Sequence, residues 1–299
     1  MHAPAPHVPV LLEETMAALR PERGGTFVDA TVGAGGHAEA LLARAPAARL
    51  VGLDRDPEAL EIARARLAPF GERVRLVHAR FSELAGVLGA GVLVDGVLAD
   101  LGVSSMQLDA AARGFSLRAA GPLDMRMDPT SGPTLRAVLE DIDEDALAEA
   151  IAAYGEERHA GRVARALLRA LADPRGIEDT AGLARVARAA VGARRAGRVD
   201  AATRTFQALR MLVNRELEEL GALLADAPER LAAGGVLAVI SFHSGEDRLV
   251  KQAMRARAAG PPAGAFELVA RRAVQASDEE RGRNPRARSA KLRALRRLA

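Results

Sequence analysis

Thr26-Phe27-Val28-Asp29-Ala30-Thr31-Val32-Gly33-Ala34-Gly35-Gly36-His37 is a β-rich run that breaks into a glycine loop, and a helical pattern over residues 38–45 follows it directly. A second apolar run, Leu50-Val51-Gly52-Leu53, ends on Asp54. Strand, glycine loop, helix, strand and acid in that order outline a doubly wound nucleotide-binding unit. Its glycines let backbone approach a ligand, and a carboxylate about 20 residues on reaches two ribose hydroxyls. The pattern implies an adenosine-containing cofactor. Gly33, Gly35 and Ala38 also satisfy the looser dinucleotide pattern, so a nicotinamide cofactor stays open at this point. Asp29, just before the glycines, suits an ammonium group. That favours S-adenosylmethionine, which has no phosphate for the helix N-terminus to hold.

Working outward, residues 57–67 read as a helix, 73–78 as a third strand and 94–100 as a fourth. Strands alternating with helices at this spacing imply a parallel sheet. The strand signal then disappears until residue 202, and helical patterns at 144–154, 156–171 and 180–191 suggest a helical insertion over residues 106–202. A long helix at 205–224 feeds through Pro228 and a Gly234-Gly235 turn into the buried-strand run Val236-Leu237-Ala238-Val239-Ile240-Ser241-Phe242. Residues 266–274 and 289–295 alternate apolar with basic residues, as an antiparallel pair at the sheet edge would. The expected organisation is therefore one α/β domain in two parts, 1–105 and 203–299, interrupted by the insertion.

The 299 residues are 49% hydrophobic, enough for a substantial core. No apolar run reaches membrane-spanning length, and the N-terminus lacks the basic start and apolar core of a signal peptide, so a soluble cytoplasmic protein is expected. The absence of cysteine excludes disulfides, thiolate metal sites and a cysteine nucleophile. No ligand cluster suggests a metal. Lys251 and Lys291 are the only lysines among 42 basic residues, a bias that reflects genome composition more than function. The distribution of charge says more than the net +3. Residues 271–299 hold ten basic groups against three acids, and residues 185–210 hold seven against one. Clustered guanidinium groups are what a phosphate backbone rewards.

Ligands of an open α/β sheet sit beyond the carboxyl ends of its strands. Four polar clusters fall there: Asp29 with the Gly33 loop, Asp54, Asp100 with Ser104 and Ser105, and His243-Ser244 with Glu246 and Asp247. Singly, each suits a helix N-cap; as a set they point to a site. A sulfonium methyl is already activated by its positive charge, so its transfer to a weakly nucleophilic amine needs geometry more than acid strength. Asp100 is the first candidate to hydrogen-bond the accepting group. His243 is a candidate to relay its proton and Phe242 to stack on its base.

At these residues the chain resembles the bacterial 16S ribosomal RNA cytosine-N4 methyltransferases of the RsmH/MraW type. The resemblance runs essentially end to end, through His7-Val8-Pro9-Val10-Leu11-Leu12, Gly33-Ala34-Gly35-Gly36-His37, Leu53-Asp54-Arg55-Asp56-Pro57 and Asp100-Leu101-Gly102-Val103-Ser104-Ser105-Met106-Gln107. It continues through Leu123-Asp124-Met125-Arg126-Met127-Asp128-Pro129, Tyr154-Gly155-Glu156-Glu157-Arg158, Thr203-Arg204-Thr205-Phe206-Gln207-Ala208-Leu209-Arg210, Ser241-Phe242-His243-Ser244 and Asn284-Pro285-Arg286-Ala287-Arg288. It implies a seven-stranded S-adenosylmethionine-dependent methyltransferase fold with a helical insertion after the fourth strand. It also implies N4-methylation of a cytidine in the decoding region of 16S ribosomal RNA. Carried over by motif, the cofactor residues are Gly35, Gly36, His37, Asp54, Phe81, Asp100 and Gln107, beside Asp29 and Gly33 from the residue reading. The family assigns Asp100 to the cofactor, so its two roles are shared or exclusive. The family also has leucine where Gly245 stands here. Arg194, Arg195, Arg198, Arg286, Arg288 and Lys291 are the expected phosphate contacts, which position RNA rather than read its sequence. Naked RNA and an assembled small subunit both remain open as substrates. A nicotinamide-dependent oxidoreductase would leave the insertion and basic tail without roles, and a noncatalytic RNA-binding factor would leave the acidic rim without one.

Overall fold

The computed structural model describes residues 9–117, 119–173, 176–192, 200–261 and 264–298. Its chain divides into two units, Met1–Gly102 with Leu217–Ala299, and Val103–Glu216. The helices in chain order are α1 (Leu12–Leu19), α2 (Gly36–Arg44), α3 (Pro57–Leu67), α4 (Leu84–Leu88), α5 (Ser105–Asp109), α6 (Leu135–Asp141), α7 (Glu144–Gly155), α8 (Ala160–Ala172), α9 (Thr180–Val191), α10 (Ala201–Asn214), α11 (Glu216–Asp226), α12 (Ser244–Ala259) and α13 (Asp278–Arg283). Among the described residues, no helix is long and apolar enough to cross a membrane, and no group of three or more acids or histidines could hold a metal.

In the first unit, β1 (Gly25–Asp29), β2 (Ala48–Asp54), β3 (Val74–His78), β4 (Val94–Asp100) and β5 (Leu231–Ser241) pair in parallel, in the order β3-β2-β1-β4-β5. The inner strands of this sheet are apolar on both faces. Phe27, Leu50, Leu98 and Ala238 join one buried cluster with residues of α1, α2 and α3, while Val28, Val51, Val97 and Leu237 join another with α11 and α12. A sheet buried on both sides is what unbroken Val/Leu runs signal, because alternate side chains must find apolar partners in opposite directions. The sheet is completed by β8 (Lys291–Arg297), antiparallel to β5, with β6 (Phe266–Leu268) and β7 (Val274–Gln275) antiparallel to β8.

The sheet thus has eight strands rather than seven, because the stretch expected as one strand at 266–274 splits into two short ones. β8 is not at the edge but lies between β5 and β6. The Gly234-Gly235 pair is a bulge inside β5 rather than a turn before it: Val94 pairs with Leu231 and Gly96 with Val236. Gly234 has φ 77°, and a side chain on Gly235 would stand 3.0 Å from the Val94 carbonyl oxygen, so the extra residues fit only without side chains.

The second unit is helical. Leu135 and Leu139 of α6, Leu147 and Ile151 of α7, Val163 and Leu167 of α8, Leu183 and Ala187 of α9, and Phe206 and Leu209 of α10 share one core. Helix α10 packs on α7 and α9, so this unit runs to Glu216, past the expected boundary at 202. The crossing of α7 and α10 is close: a side chain on Gly155 would stand 2.6 Å from the Arg204 carbonyl oxygen. There Gln207 Nε2 donates to the Tyr154 carbonyl at 2.9 Å, and Arg204 lies 3.6 Å from the buried Glu157.

The helix expected at 205–224 is two helices. Arg215, at φ 51°, breaks the chain in the left-handed region. Buried Asn214 precedes it, accepting from Met127 N–H at 2.8 Å and donating to the carbonyls of Met125 at 2.7 Å and Arg210 at 2.8 Å. Likewise Glu156 at φ 51° delays α8 until Ala160. Replacing Asn214 with alanine strands these buried backbone groups. Asn214→Ala is expected to lower unfolding stability by about 2–3 kcal/mol, read from urea denaturation of the whole protein; an unchanged midpoint would refute this account of the helix break.

Candidate functional site

The carboxyl ends of β1, β2, β4 and β5 meet at one rim of the first unit. After Asp29 the chain stays bound to its neighbours: Ala30 N–H donates to Leu98 O at 2.8 Å, Val32 N–H to Leu53 O at 2.8 Å, and the Thr31 hydroxyl accepts from Asp100 N–H at 2.6 Å. Gly33 and Gly35 then take positive φ, 51° and 80°, which glycine alone adopts without cost, and Gly35 becomes the N-cap of α2. The loop is held at three points. Asp54 Oδ2 accepts from Gly33 N–H at 2.8 Å, Arg66 of α3 donates to the Ala34 carbonyl at 3.1 Å, and Pro9 rests on Gly36, where a side chain would stand 2.6 Å from Pro9 Cγ. The absent side chain of Gly36 therefore makes room for the protein's own Pro9. Asp54 Oδ1 accepts from Asp56 N–H at 2.9 Å, so the acid expected to meet a ribose also shapes the turns on either side of it.

Four acids share this rim, and for three of them, Asp29, Asp54 and Asp100, burial works against the charge. Asp29, 3% exposed, is pushed up to about 7 by burial, with the Asp54 charge adding to the rise and hydrogen bonds from Thr31 opposing it. Asp54 is raised to about 6 by burial, against hydrogen bonds from the Asp56 and Gly33 amides. Asp100 goes highest, to about 8, through burial first and then the charges of Asp29 and Glu246, with Arg286 pulling the other way. A quarter of the Asp100 side chain faces solvent, yet its Oδ1 is buried with no hydrogen-bond partner among the described residues and its Oδ2 lies 3.7 Å from Nε2 of His37 on α2. Glu246 on α12, 2% exposed, accepts from Phe242 N–H at 2.9 Å.

The other expected site residues divide. Phe81 opens the short turn after β3 and packs half-buried beside the β2–β4 core. Gln107 lies in the second unit, where its side chain caps α5: Ser104 N–H donates to its Oε1 at 3.0 Å, and its own N–H to Ser104 Oγ at 3.2 Å. Phe242 follows β5 and packs partly buried on the core. His243 is the N-cap of α12, its Nδ1 accepting from Glu246 N–H at 3.4 Å and its Nε2 3.1 Å from Glu246 Oε1. A side chain on Gly245 would stand 3.2 Å from that Nδ1, so glycine here lets the ring fold back onto the helix.

Of the expected phosphate contacts, Arg288 is exposed and Arg286 is turned to the Asp100 field. Lys291 is not a free cation: its Nζ donates to Asp247 at 3.0 Å beside Arg293 at 2.7 Å, which ties α12 to β8. Arg194, Arg195 and Arg198 lie outside the described residues. Thr31 went unnoticed in the sequence, where the only signal was a hydroxyl two residues after the strand-end acid.

A parallel sheet closed by an antiparallel β8, with a glycine loop and strand-end acids on one rim, is the architecture of the Rossmann-like methyltransferases. The MraW methylase family matches residues 4–298, and the chain belongs to that family. It is 53% identical over 308 residues to the ribosomal RNA small subunit methyltransferase H of Sorangium cellulosum, an alignment that spans 100% of this chain and 95% of the relative. With the protein of the same name from Acidobacterium capsulatum it shares 49% identity over 296 residues, 96% of this chain and 97% of the other. Among solved structures, a putative rRNA methylase from Clostridium thermocellum aligns at 13% identity with a TM-score of 0.47, covering 98% of this chain and 100% of that one.

A carboxyl whose pKa rises on folding favours the folded state below its unfolded value near 3.8, and loses that contribution as pH climbs through the folded value. For Asp54, Asp29 and Asp100 the loss begins above 3.8 and is complete at the folded values, about 6, about 7 and about 8 in turn. Stability of the ligand-free protein should therefore fall from about pH 4 to about pH 8, most steeply below 6 where all three acids contribute, and Asp100→Asn should flatten the stretch above 7 that Asp100 alone sustains. Urea midpoints measured at half-unit pH steps check it; a flat wild-type profile would contradict the buried-acid rim.

Proposed function

We propose that this protein transfers a methyl group from S-adenosylmethionine to the N4 amine of a cytidine in the decoding region of small-subunit ribosomal RNA. Family membership and the names of its relatives support ribosomal RNA methylation. The observation that carries the site is the Asp100 carboxyl, raised to about 8 at the end of β4, with one oxygen buried and without a hydrogen bond among the described residues.

The residues at the rim fit the cofactor. Acids pressed toward neutrality by burial gain from a neighbouring cation, and both the sulfonium and the ammonium of S-adenosylmethionine are cations. Asp54 keeps acceptor capacity for ribose hydroxyls after its two backbone bonds, because each carboxylate oxygen has two lone pairs. Gly33, Gly35 and Gly36 offer backbone without side chains, His37 and Asp29 stand beside the loop, and Phe81 suits the adenine. When bound, the cofactor supplies a methyl group already activated by positive sulfur.

The chain's own work is to orient the amine and take its proton. Asp100 accepts a hydrogen bond from the exocyclic amine, which draws that nitrogen toward tetrahedral geometry and aims its lone pair. With a pKa near neutrality it can also hold the proton that the amine loses. His243 has its Nδ1 committed to α12, so any relay runs through the Nε2 and Glu246. Phe242 provides a stacking face for a base flipped from its strand. The basic groups at Arg194, Arg195, Arg198, Arg286 and Arg288 would position RNA, and Gln107 is a cofactor residue by family resemblance alone. This work on ribosomal RNA belongs in the cytoplasm.

Incubation with labelled S-adenosylmethionine and small ribosomal subunits, followed by nucleoside mass analysis, should yield N4-methylcytidine. Transfer to another nucleoside, or none to subunits or free RNA, would overturn the substrate. Asp100→Ala should lose at least about 100-fold in rate even at saturating cofactor, whereas Asp54→Ala should chiefly raise the cofactor Kd. Rescue of Asp100→Ala by excess cofactor would make it a binding residue only.

A further inference from the structure

Residues 9–11 form a short strap that lies directly on the glycine loop, since Pro9 occupies the space a Gly36 side chain would need. Leu11, fully buried, sits at φ 54°, a conformation that a leucine keeps only where its surroundings hold it. The holding group comes from the far end of the chain. Leu11 N–H donates to Glu280 Oε1 at 2.8 Å across 269 residues of sequence. Glu280 is itself fixed, because Ser277 Oγ caps its amide at 3.1 Å and its carbonyl accepts from Asn284 N–H at 2.7 Å. The turn Pro285–Arg288 that follows is anchored by fully buried Ala287 in the sheet core. In the sequence Glu280 reads only as an acid offsetting a basic tail.

We propose that Glu280 is a positioning residue for the cofactor pocket: by holding the Leu11 amide it seats Pro9 on Gly36 and keeps the glycine loop in its receiving shape. The inference rests on the reading that this rim binds S-adenosylmethionine. A charged acceptor on a backbone amide is stronger than a neutral one, and it places no side chain in the pocket. The acid thus touches neither reacting group, and acts on the cofactor through the strap.

The test is calorimetric titration of S-adenosylmethionine into wild type, Glu280→Ala and Glu280→Gln, with hydrogen exchange at the Leu11 amide. In Glu280→Ala the Leu11 amide should exchange faster and the cofactor Kd should rise about tenfold, while Glu280→Gln, which keeps an acceptor oxygen, should stay within about threefold of wild type. Faster exchange or a lower Tm with an unchanged Kd would overturn the proposal, leaving Glu280 a structural residue. Should Glu280→Ala not fold, Pro9→Gly decides: a weakened Kd supports the strap's role, and an unchanged one overturns it. Failure of the wild type itself to bind would sink the cofactor reading instead, a result separable from any variant's.

Discussion

Like charges crowded into a poorly solvated rim are the constraint around which the first unit is arranged. Asp29, Asp54 and Asp100 end adjacent parallel strands, and Glu246 reaches the same place from α12. Each would rather be in water, so the fold answers with backbone amides: Thr31, Gly33, Asp56 and Phe242 all donate to one of these acids. The loop conformations follow from that need. A glycine loop positioned by Asp54 cannot drift without exposing the acid to an unpaired state, and Asp54 cannot be satisfied without the loop's positive φ angles. The exception is Asp100, whose side chain receives none of these amides and whose pKa is raised furthest.

The parallel strands and the helices flanking the first of them were legible because their signal is local. Apolar runs of strand length and helical periodicity are properties of neighbouring residues, and α3, α9 and β4 fall where the pattern puts them. What escaped was set by partners distant in sequence. The break at Arg215 depends on Asn214 finding Met125 and Met127, some ninety positions earlier. Lys291 looks like a phosphate contact until β8 pairs with β5 and brings it to Asp247. His243 reads in the sequence as a relay or a cap, and its cap on α12 becomes visible only once that helix is placed. The acids of the rim were legible for a different reason: charged groups at the ends of buried strands are conspicuous wherever they occur.

Several of the motifs that carry the family resemblance turn out to hold the helical unit together. The tyrosine-glycine pair at 154–155 and the stretch at 203–210 meet where α7 crosses α10, and the closeness of that crossing explains the glycine. Arg126 and Asp124 pair within one short loop whose neighbouring carbonyls are taken by Arg113 and Asn214. Sequence likeness in this unit therefore reports packing as much as substrate recognition.

The position of β8 carries a cost during synthesis. Ser241 at the end of β5 pairs with Lys291, 50 residues later, so β5 cannot acquire its second neighbour until the chain has been made well past α12. Until then a nascent chain presents a long apolar strand with a bare edge, and such edges recruit other strands. A ribosome stalled in this interval would hold an aggregation-prone intermediate, and loss of the final strand by proteolysis would return the mature protein to the same state. Covering that edge is therefore the work of β8 alone, fifty residues after the strand it protects.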